Sequence, residues 1–341
     1  MGRVTVAGVT EVIVGEGLPV SLLPTRPERR RVAILTQPAV TSLALELAMR
    51  LREERVDPEV IDLPDRDEAK TLRVAETVYG ALARFGLTRD DTVMGVGGGA
   101  VTDLAGYVAA TWLRGVEAVH IPTTLLGAVD ASIGGKTGVN LAGKNLVGVI
   151  WHPSRVIVDT VLLGELPPAL LREGMAEAFK AGLIGDSMLC ALLSSQGLEA
   201  PLGEVVERAV SVKAGVVSRD EREHGERAHL NLGHTIGHAI EYASPLSHGE
   251  SVGLGLIAAG RISEKIHGFE HADFIEATIR ALGLPATVQG LDTARLRDLL
   301  RLDKKRDARG LRMVLLRDFE DPVLQHVDEA DIGVGLTAVG L

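Results

Sequence analysis

The chain has 341 residues, of which 46% are hydrophobic and 24% charged, as in folded globular proteins long enough for two domains. Its net charge of −10 and its aromatic content of 3% argue against non-specific nucleic-acid binding and against stacking on single strands. The only cysteine is Cys190, which excludes an intrachain disulfide and a cysteine zinc cluster, so any metal ligands are expected to be His and carboxylates.

The amino-terminal segment carries no targeting pattern. It reads Met1-Gly-Arg-Val-Thr-Val6, which lacks the apolar core of a signal peptide and has valine where a myristoylation motif has Ser or Thr. No apolar run approaches the roughly 20 residues of a membrane span. We therefore expect a cytoplasmic protein with neither a membrane nor a nucleic acid as a partner.

The first half of the chain alternates strand and helix patterns. The sequence predicts strands at 31–36, 56–63, 91–96 and 115–121, and helices at about 39–54 and 68–85. This alternation is typical of a parallel sheet covered by helices on both faces. The predicted fold class is α/β, with a Rossmann-like parallel sheet in the N-terminal domain.

The pattern changes after Pro167-Pro168. Helical periodicity dominates from about 169 to 300, and the one late hairpin pattern pairs 311–316 with 323–327. The Pro-Pro pair favours a boundary there. We predict an α/β domain at 1–167 and a mainly helical domain at 168–341.

A glycine-rich turn follows the third predicted strand and opens a helix. It reads Gly95-Val-Gly97-Gly98-Gly99-Ala100, which fits the loose dinucleotide pattern G-x-G-x-x-A. Glycines let a phosphate approach the backbone at a helix N-terminus. A plain strand-to-helix turn is the alternative, because the acid expected at the end of the next strand is absent. Asp103 is expected on the first turn of the helix, as a cofactor contact or as a dipole partner.

A polar stripe is predicted on one helix that runs from 227 to 241. Arg227, Asn231, His234, His238 and Glu241 are spaced by 4, 3, 4 and 3 residues, which places them on one helix face. Most other positions of this segment are apolar. The polar face should therefore line an enclosed site, because buried polar groups need partners.

Three residues form a possible metal site. Glu177, His234 and His248 offer one carboxylate and two imidazoles, which would leave an open coordination position as in catalytic zinc sites. His238 is also a possible ligand, since it lies four residues after His234; the H-E-x-x-H motif is absent, since Thr235 replaces the glutamate. The alternatives are histidines satisfied within a core, and a surface ion pair between Glu177 and Lys180.

Taken together, these motifs resemble the sugar-phosphate cyclase family, and within it the 3-dehydroquinate synthases. The resemblance covers nearly the whole chain. The segments that carry it begin at Gly97, Leu113, Ile121, Val129, Gly143, Gly174, Leu230, His248 and Asp303. The resemblance implies a dinucleotide-binding domain at 1–167 and a metal- and substrate-binding domain at 168–341.

The resemblance also implies an activity. An NAD- and zinc-dependent lyase of the shikimate pathway is expected, in which cobalt could replace zinc. It would convert 3-deoxy-D-arabino-heptulosonate 7-phosphate into 3-dehydroquinate and phosphate. In the family, a hydroxyl is oxidised transiently, phosphate is eliminated, the ketone is reduced again, and an intramolecular aldol step closes the ring. A homodimer is expected.

Roles transfer from the family by position. The zinc ligands would be Glu177, His234 and His248. The dinucleotide contacts would be Gly98, Gly99, Asp103, Thr123, Thr124, Asp130, Lys136, Lys144, Asp67 and Lys70. The groups around the substrate would be His238, Lys136, Lys144, Lys180, Arg227, Asn231, Asn145, Lys213 and Lys305, with Arg114 reaching the substrate phosphate of a neighbouring subunit. This assigns His238 to proton transfer rather than to the metal.

The chain departs from the family pattern at four places. The loop from Asn140 to Gly143 is one residue shorter and lacks a proline, and the loop between Glu241 and His248 is also short. Glu165 replaces a threonine that contacts NAD. Around the adenosine ribose, either Asp67 or Glu68 would take the role of the family's glutamate.

Two other functions fit parts of the pattern. Another cyclase of the family would make 2-deoxy-scyllo-inosose or a valiolone, but Arg227, Asn231 and His238 are the residues of the dehydroquinate type. A metal-dependent polyol dehydrogenase would release NADH and would not need the lysines that bind phosphate.

Overall fold

The computed structural model describes residues 1–17, 31–301, 306–307 and 310–341. Lys305, one of the predicted substrate contacts, lies outside these residues. The chain divides into two compact units, Met1–Leu166 and Pro167–Leu341. Within the described part of the chain, no helix is long and apolar enough to cross a membrane.

The first unit is built on a seven-stranded sheet. Its strands are β1 (Gly2–Val6), β2 (Thr10–Gly15), β3 (Arg31–Thr36), β4 (Asp57–Asp62), β5 (Thr92–Gly97), β6 (Glu117–Pro122) and β9 (Arg155–Asp159). A separate hairpin contains β7 (Lys136–Val139) and β8 (Val147–Ile150). The order in the sheet is β1-β2-β9-β6-β5-β3-β4. Only β1 and β2 pair antiparallel, and every other neighbouring pair in this sheet is parallel. The strands β7 and β8 form an antiparallel pair of their own.

Helices cover both faces of this sheet. They are α1 (Thr41–Glu53), α2 (Leu72–Phe85), α3 (Gly99–Thr111) and α4 (Thr160–Gly164). On β3, Val32 and Ile34 belong to the cluster that includes Leu47 of α1. The alternate residue Leu35 packs with Leu82 of α2 and Leu104 of α3. Successive side chains of a strand point to opposite faces, which is why a run of apolar residues serves two helix layers. The predicted parallel α/β sheet is confirmed.

The second unit is mainly helical, as predicted. Its elements are α5 (Pro168–Gly185), α6 (Ser187–Gln196), α7 (Leu202–Arg219), α8 (His234–Ala243), α9 (His248–His267), α10 (Ala272–Ala281), α11 (Thr293–Arg301), β10 (Arg306–Asp307), β11 (Gly310–Asp318), β12 (Asp321–Val327) and α12 (Glu329–Ala338). The predicted late hairpin corresponds to the antiparallel pair of β11 and β12.

Glycines let the helices around α9 approach closely. A Cβ atom on Gly255 would lie 1.9 Å from the carbonyl oxygen of Gly233, and one on Gly249 would lie 2.3 Å from the Cα atom of Glu173. Neither position has room for a side chain. The missing side chains therefore allow α8 and α5 to pack directly on α9, which bears His248 at its first residue.

The prediction of one helix from 227 to 241 is wrong. A 3₁₀ helix spans Glu226–Asn231, Leu232 is extended with ψ 130°, and α8 begins only at His234. The break lies at Gly233, whose φ of +76° is in the left-handed region and whose added Cβ would meet Leu256 at 2.8 Å. The spacing of the polar residues favoured a continuous helix, but the close packing of Gly233 on α9 interrupts it.

Candidate metal centre and nucleotide-binding edge

The glycine turn joins β5 to α3 in the first unit. Gly98 precedes the first residue of α3 and has an extended conformation. An added Cβ on Gly97 would lie 2.5 Å from Val101 Cγ2, and one on Gly99 would lie 2.9 Å from Ala131 Cβ. The turn is therefore packed tightly on its inner side, and the first amides of α3 lack partners within the helix. This geometry fits an anionic group at the helix N-terminus.

The end of β6 lies directly against this turn. The backbone NH of Thr123 donates to Gly97 O at 3.0 Å, and Thr124 Oγ1 accepts from the NH of Gly127 at 3.0 Å. Asp130 lies in the π-helical segment Gly127–Ala131 that follows. The structure therefore brings Gly98, Gly99, Thr123 and Thr124 to one edge of the sheet, at the carboxyl ends of β5 and β6, where open α/β sheets bind ligands.

Asp103 does not lie on the first turn of α3, which corrects the sequence prediction. It is the fifth residue of the helix, and its Oδ2 accepts from Lys70 Nζ at 2.5 Å. Lys70 Nζ also donates to Asn145 Oδ1 at 2.6 Å. The lysine is buried, so this ion pair is shielded from solvent. The negative charge of Asp103 is therefore stabilised by an ion pair with Lys70 rather than by the helix dipole.

The shortened loop is tied to the same region. Asn140 donates through Nδ2 to Asp67 Oδ2 at 3.2 Å, and its Oδ1 accepts from the NH of Asn145 at 2.9 Å. The NH of Asn140 donates to Lys70 O at 2.7 Å. Asp67 is exposed, and so are Glu68, Arg114, Lys136, Lys144 and Glu165. The loop is thus held by side-chain amides in place of the missing proline.

In the second unit, Glu177 lies at the centre of a His/His/Glu cluster. Its Oε1 lies 3.1 Å from His234 Nε2 and 3.2 Å from His248 Nε2. One ligand atom from each of the three residues lies within 4.8 Å of the others. The carboxylate is 1% exposed. A buried carboxylate oxygen facing two imidazole nitrogens is the donor set that zinc prefers, and three protein ligands leave a position for substrate.

The outer nitrogens of both histidines face acceptors. His234 Nδ1 lies 3.0 Å from Leu232 O, and His248 Nδ1 lies 3.1 Å from Glu241 Oε2. A proton on each Nδ1 leaves the Nε2 lone pair directed at the centre of the cluster. Leu232 can offer its carbonyl because the chain is extended at this residue. The break before α8 therefore contributes to the site.

Electrostatics at the cluster favour an ionised carboxylate. Burial would raise the pKa of Glu177, but Lys180 and His234 hold that pKa well below its usual range. Burial lowers the pKa of His234, although Glu177 opposes the effect. Burial would also lower the pKa of His248, but Glu177 and Glu241 raise it to about 10. The carboxylates of Glu177 and Glu241 thus create a negative potential at the cluster, which favours binding of a cation.

His238 lies beside the cluster on α8. Its ring centroid is 5.2 Å from that of His234 and 6.0 Å from that of His248. It is absent from the Glu177 group but forms a second group with Glu241 and His248, whose ligand atoms also lie within 4.8 Å. The geometry therefore places a half-buried imidazole next to the predicted metal ligands.

Buried cations lie on the helix that carries Glu177 or on segments that pack against it. Lys180 forms an ion pair with Glu177 Oε2, and both side chains are almost fully buried. This position corrects the alternative of a surface ion pair. Lys213 on α7 and Arg227 are also buried. Both α7 and the segment of Arg227 pack against α5, which carries Glu177.

The turn that precedes Arg227 contains polar residues that sequence reasoning missed. Arg227 donates through Nη1 to Glu221 O, and its backbone NH donates to Asp220 Oδ2 at 3.0 Å. Asn231 Nδ2 donates to Glu223 Oε1 at 3.0 Å. Backbone donors from Arg227, His224 and Gly225 lower the pKa of Asp220 to about 2. The signal in the sequence is the acidic residue directly after the amphipathic helix α7, where a turn is expected.

Comparison with known proteins places the chain in a family. A model of the 3-dehydroquinate synthase N-terminal region matches residues 60–173, and a model of the C-terminal region matches residues 174–306. The 3-dehydroquinate synthase of Mycobacterium leprae (strain TN) is 41% identical over 327 residues, which cover 91% of this chain and 89% of that protein.

Two solved structures resemble the whole chain. A 2-deoxy-scyllo-inosose synthase complexed with carbaglucose-6-phosphate, NAD+ and Co2+ is 27% identical with a TM-score of 0.88, covering 96% of this chain and 97% of that chain. The 2-epi-5-epi-valiolone synthase of Streptomyces hygroscopicus subsp. jinggangensis 5008, with NAD+ and Zn2+ bound, is 28% identical with a TM-score of 0.86, covering 96% of each chain. With both halves matched in order and a relative at 41% identity, the chain belongs to the 3-dehydroquinate synthase family.

Proposed function

We propose that this chain is a lyase that converts 3-deoxy-D-arabino-heptulosonate 7-phosphate into 3-dehydroquinate and phosphate, with NAD and a divalent metal ion as cofactors. The observation that carries the proposal is the cluster of buried Glu177 and His234 with half-buried His248 in a chain of this family. The relatives named 3-dehydroquinate synthase are 40–42% identical, whereas the two cyclases with other products are 27–28% identical.

Glu177, His234 and His248 would hold the metal. A bound Zn2+ or Co2+ supplies Lewis acidity, which lowers the pKa of a coordinated hydroxyl. Lys180 stabilises the ionised form of Glu177 from its second oxygen. The acceptors on the outer nitrogens keep both imidazoles in the tautomer that can ligate.

The turn at Gly98 and Gly99 would hold the pyrophosphate of NAD, because glycines have no side chain to block a phosphate and the first amides of a helix lack partners within it. Bound NAD supplies a reversible hydride acceptor, which matches a reaction that oxidises and later reduces the same carbon. Thr123 lies against the turn, with Thr124 next to it. Asp103 would accept hydrogen bonds from the hydroxyl groups of an NAD ribose. Asp130, Lys136, Lys144, Lys70 and Asp67 complete the proposed contacts.

The remaining polar residues would bind and orient the substrate anion. Lys180, Lys213 and Arg227 are buried cations, and charge-assisted hydrogen bonds to phosphate and carboxylate are the strong ones. Asn231 and Asn145 would bind hydroxyls. His238 would move a proton, because an imidazole can accept a proton and the imidazolium so formed can return it near neutral pH.

The test is to follow phosphate release and NADH absorbance together in one reaction. With the heptulosonate phosphate, we expect one phosphate per substrate consumed and no net NADH. Accumulating NADH without phosphate would instead identify a polyol dehydrogenase. Phosphate release from glucose 6-phosphate but not from the heptulosonate phosphate would identify a 2-deoxy-scyllo-inosose synthase.

We also propose a cytoplasmic homodimer in which Arg114 reaches the substrate phosphate of the neighbouring subunit. Arg114 is exposed and has a φ of +67° in the turn Trp112–Arg114, which supports an outward-facing role. Sedimentation should show a dimer. Mixing an Arg114→Ala chain with a chain inactivated by His238→Ala should recover activity at one of the two mixed sites; no recovery would contradict the role in trans.

A further inference from the structure

Glu241 contacts the outer side of the imidazole of His248. Its Oε2 lies 3.1 Å from His248 Nδ1, while Nε2 of the same ring lies 3.2 Å from Glu177 Oε1. The two ring nitrogens face in different directions, so one carboxylate is on each side of the ring. With its proton on Nδ1, the ring would donate a hydrogen bond to Glu241 Oε2, which leaves Nε2 free to ligate.

The position of Glu241 is unfavourable for the helix that carries it. It lies in the last turn of α8, which ends at Ala243, and a negative charge is unfavourable at a helix C-terminus because the helix dipole is negative there. Its side chain is only 16% exposed, so the charge is also partly removed from water. A neutral residue would suit the helix better, and the contact with His248 is one interaction that offsets this cost.

The two histidines of the cluster differ in this respect. His234 Nδ1 faces the backbone carbonyl of Leu232, which is neutral, whereas His248 Nδ1 faces a carboxylate. A divalent ion held by Glu177 and backed by Glu241 would have its two charges balanced by two carboxylates. Lys180, paired with Glu177, adds a positive charge that weakens the site for a cation, and Glu241 opposes that effect.

We infer that Glu241 is a positioning residue, which fixes the orientation and tautomer of His248 and thereby sets the affinity of the cluster for its divalent ion. The inference rests on the proposed metal site. Carboxylates that hold a metal-ligating histidine typically contribute 10- to 100-fold to metal affinity.

A different role for Glu241 would be as a direct ligand. His238, Glu241 and His248 also offer ligand atoms within 4.8 Å of one another. For that site to fill together with the first, the ring of His248 would have to bridge two ions and lose its hydrogen bond to Glu241. The observed contact therefore favours one ion with Glu241 behind its ligand, and the number of bound ions separates the two roles.

The test uses Glu241→Gln, which keeps the shape of the side chain and removes its charge. Glu264→Gln is the matched control, because it removes the same charge from an exposed position on α9. The purified chains are stripped of metal and titrated with Zn2+ in competition with a chromophoric chelator. We expect one ion per chain in all three proteins, with Zn2+ bound 10- to 100-fold more weakly by Glu241→Gln alone.

Thermal unfolding with and without Zn2+ separates positioning from a purely structural role. Glu241→Gln should reduce the stabilisation that Zn2+ adds to the metal-free chain, whereas a purely structural role would leave that added stabilisation unchanged. A Zn2+ affinity within twofold of the parent would overturn the inference, and so would equal destabilisation with and without metal. A fall from two ions to one would show a direct ligand instead. If His234→Ala also leaves Zn2+ binding unchanged, the proposed metal site itself fails.

Discussion

The nucleotide-binding edge of the first unit and the metal cluster of the second are built by different means. The edge is made by backbone, because Gly97 and Gly99 remove side chains where Val101 and Ala131 pack closely. The cluster is made by side chains that three helices bring together, and glycines act there at a distance, at the crossings of α9. The nucleotide-binding edge therefore tolerates few added atoms, because it depends on close backbone packing. The metal cluster depends instead on its charges and on a hydrogen-bond partner for each buried polar atom.

The largest effect should come from removing one ligand at the cluster. His234→Ala deletes one of the two imidazole nitrogens that face Glu177, so we expect metal binding to be lost together with activity. His238→Ala should keep one ion per chain but lower turnover by about 10²–10⁴-fold, as expected for a general acid–base group. Metal content and turnover of both purified variants give the comparison. Equal metal content with full activity in both would contradict the assignment.

The next effect concerns the packing that positions the cluster. Gly255→Ala would place a Cβ 1.9 Å from Gly233 O, which is backbone and cannot move freely, so we expect a loss of about 3 kcal/mol or more of unfolding free energy. Gly253→Ala on the same helix is the control, because its nearest neighbours lie at 3.5 Å. The control should be neutral, or more stable by up to about 1 kcal/mol through helix propensity. Urea unfolding measures both, and equal stabilities would refute the argument from close approach.

The corresponding change at the nucleotide edge should be smaller. Gly99→Ala would place a Cβ 2.9 Å from Ala131 Cβ, and overpacking of this size costs about 1–3 kcal/mol. We also expect weaker NAD binding, measured by calorimetry, because the turn must shift. Gly164→Ala, which has nothing within 4 Å of the new Cβ, is the control for stability. Unchanged NAD affinity in Gly99→Ala would show that the turn does not hold the dinucleotide.

The last effect is a pH dependence of the stability that a buried histidine gives to the core of the first unit. His120 on β6 is fully buried beside Gly95 and Gly106, and burial lowers its pKa to about 4. The folded state therefore favours the neutral ring, so this contribution to stability is present above pH 6.5 and is lost as the pH falls towards 4.

Between pH 7 and pH 5 we expect a loss of about 2 kcal/mol from this residue, because the unfolded chain binds the proton first. Urea unfolding of the parent and of His120→Gln at both pH values measures it. The variant should lack this part of the pH dependence. The same loss in both proteins would contradict a neutral buried His120.

The sequence was sufficient to predict those elements whose pattern is local. The strands β3 to β6, the glycine turn and the mainly helical second unit follow from period, turn residues and proline. The helix predicted from 227 to 241 failed because Gly233 serves the packing on α9, which is a contact between residues distant in the sequence. The predicted proximity of His234 and His238 is nevertheless confirmed, because both residues lie in α8.

Other features could not be predicted because they depend on partners far along the chain. The pair of Lys70 with Asp103 joins residues 33 positions apart, and Asn145 enters the same contact from a separate hairpin. The strands β1 and β2 were not predicted, since β2 joins the sheet by pairing with the distant β9 and β1 joins it only through β2. Local composition carries no information about such pairings.

The most direct test is a crystal structure of the metal-loaded protein, with anomalous diffraction recorded at the absorption edge of the bound metal. We predict a single strong peak about 2.0–2.2 Å from the carboxylate of Glu177 and from Nε2 of His234 and His248. A peak held by His238 and Glu241 instead, or no peak in protein that releases phosphate, would contradict the account.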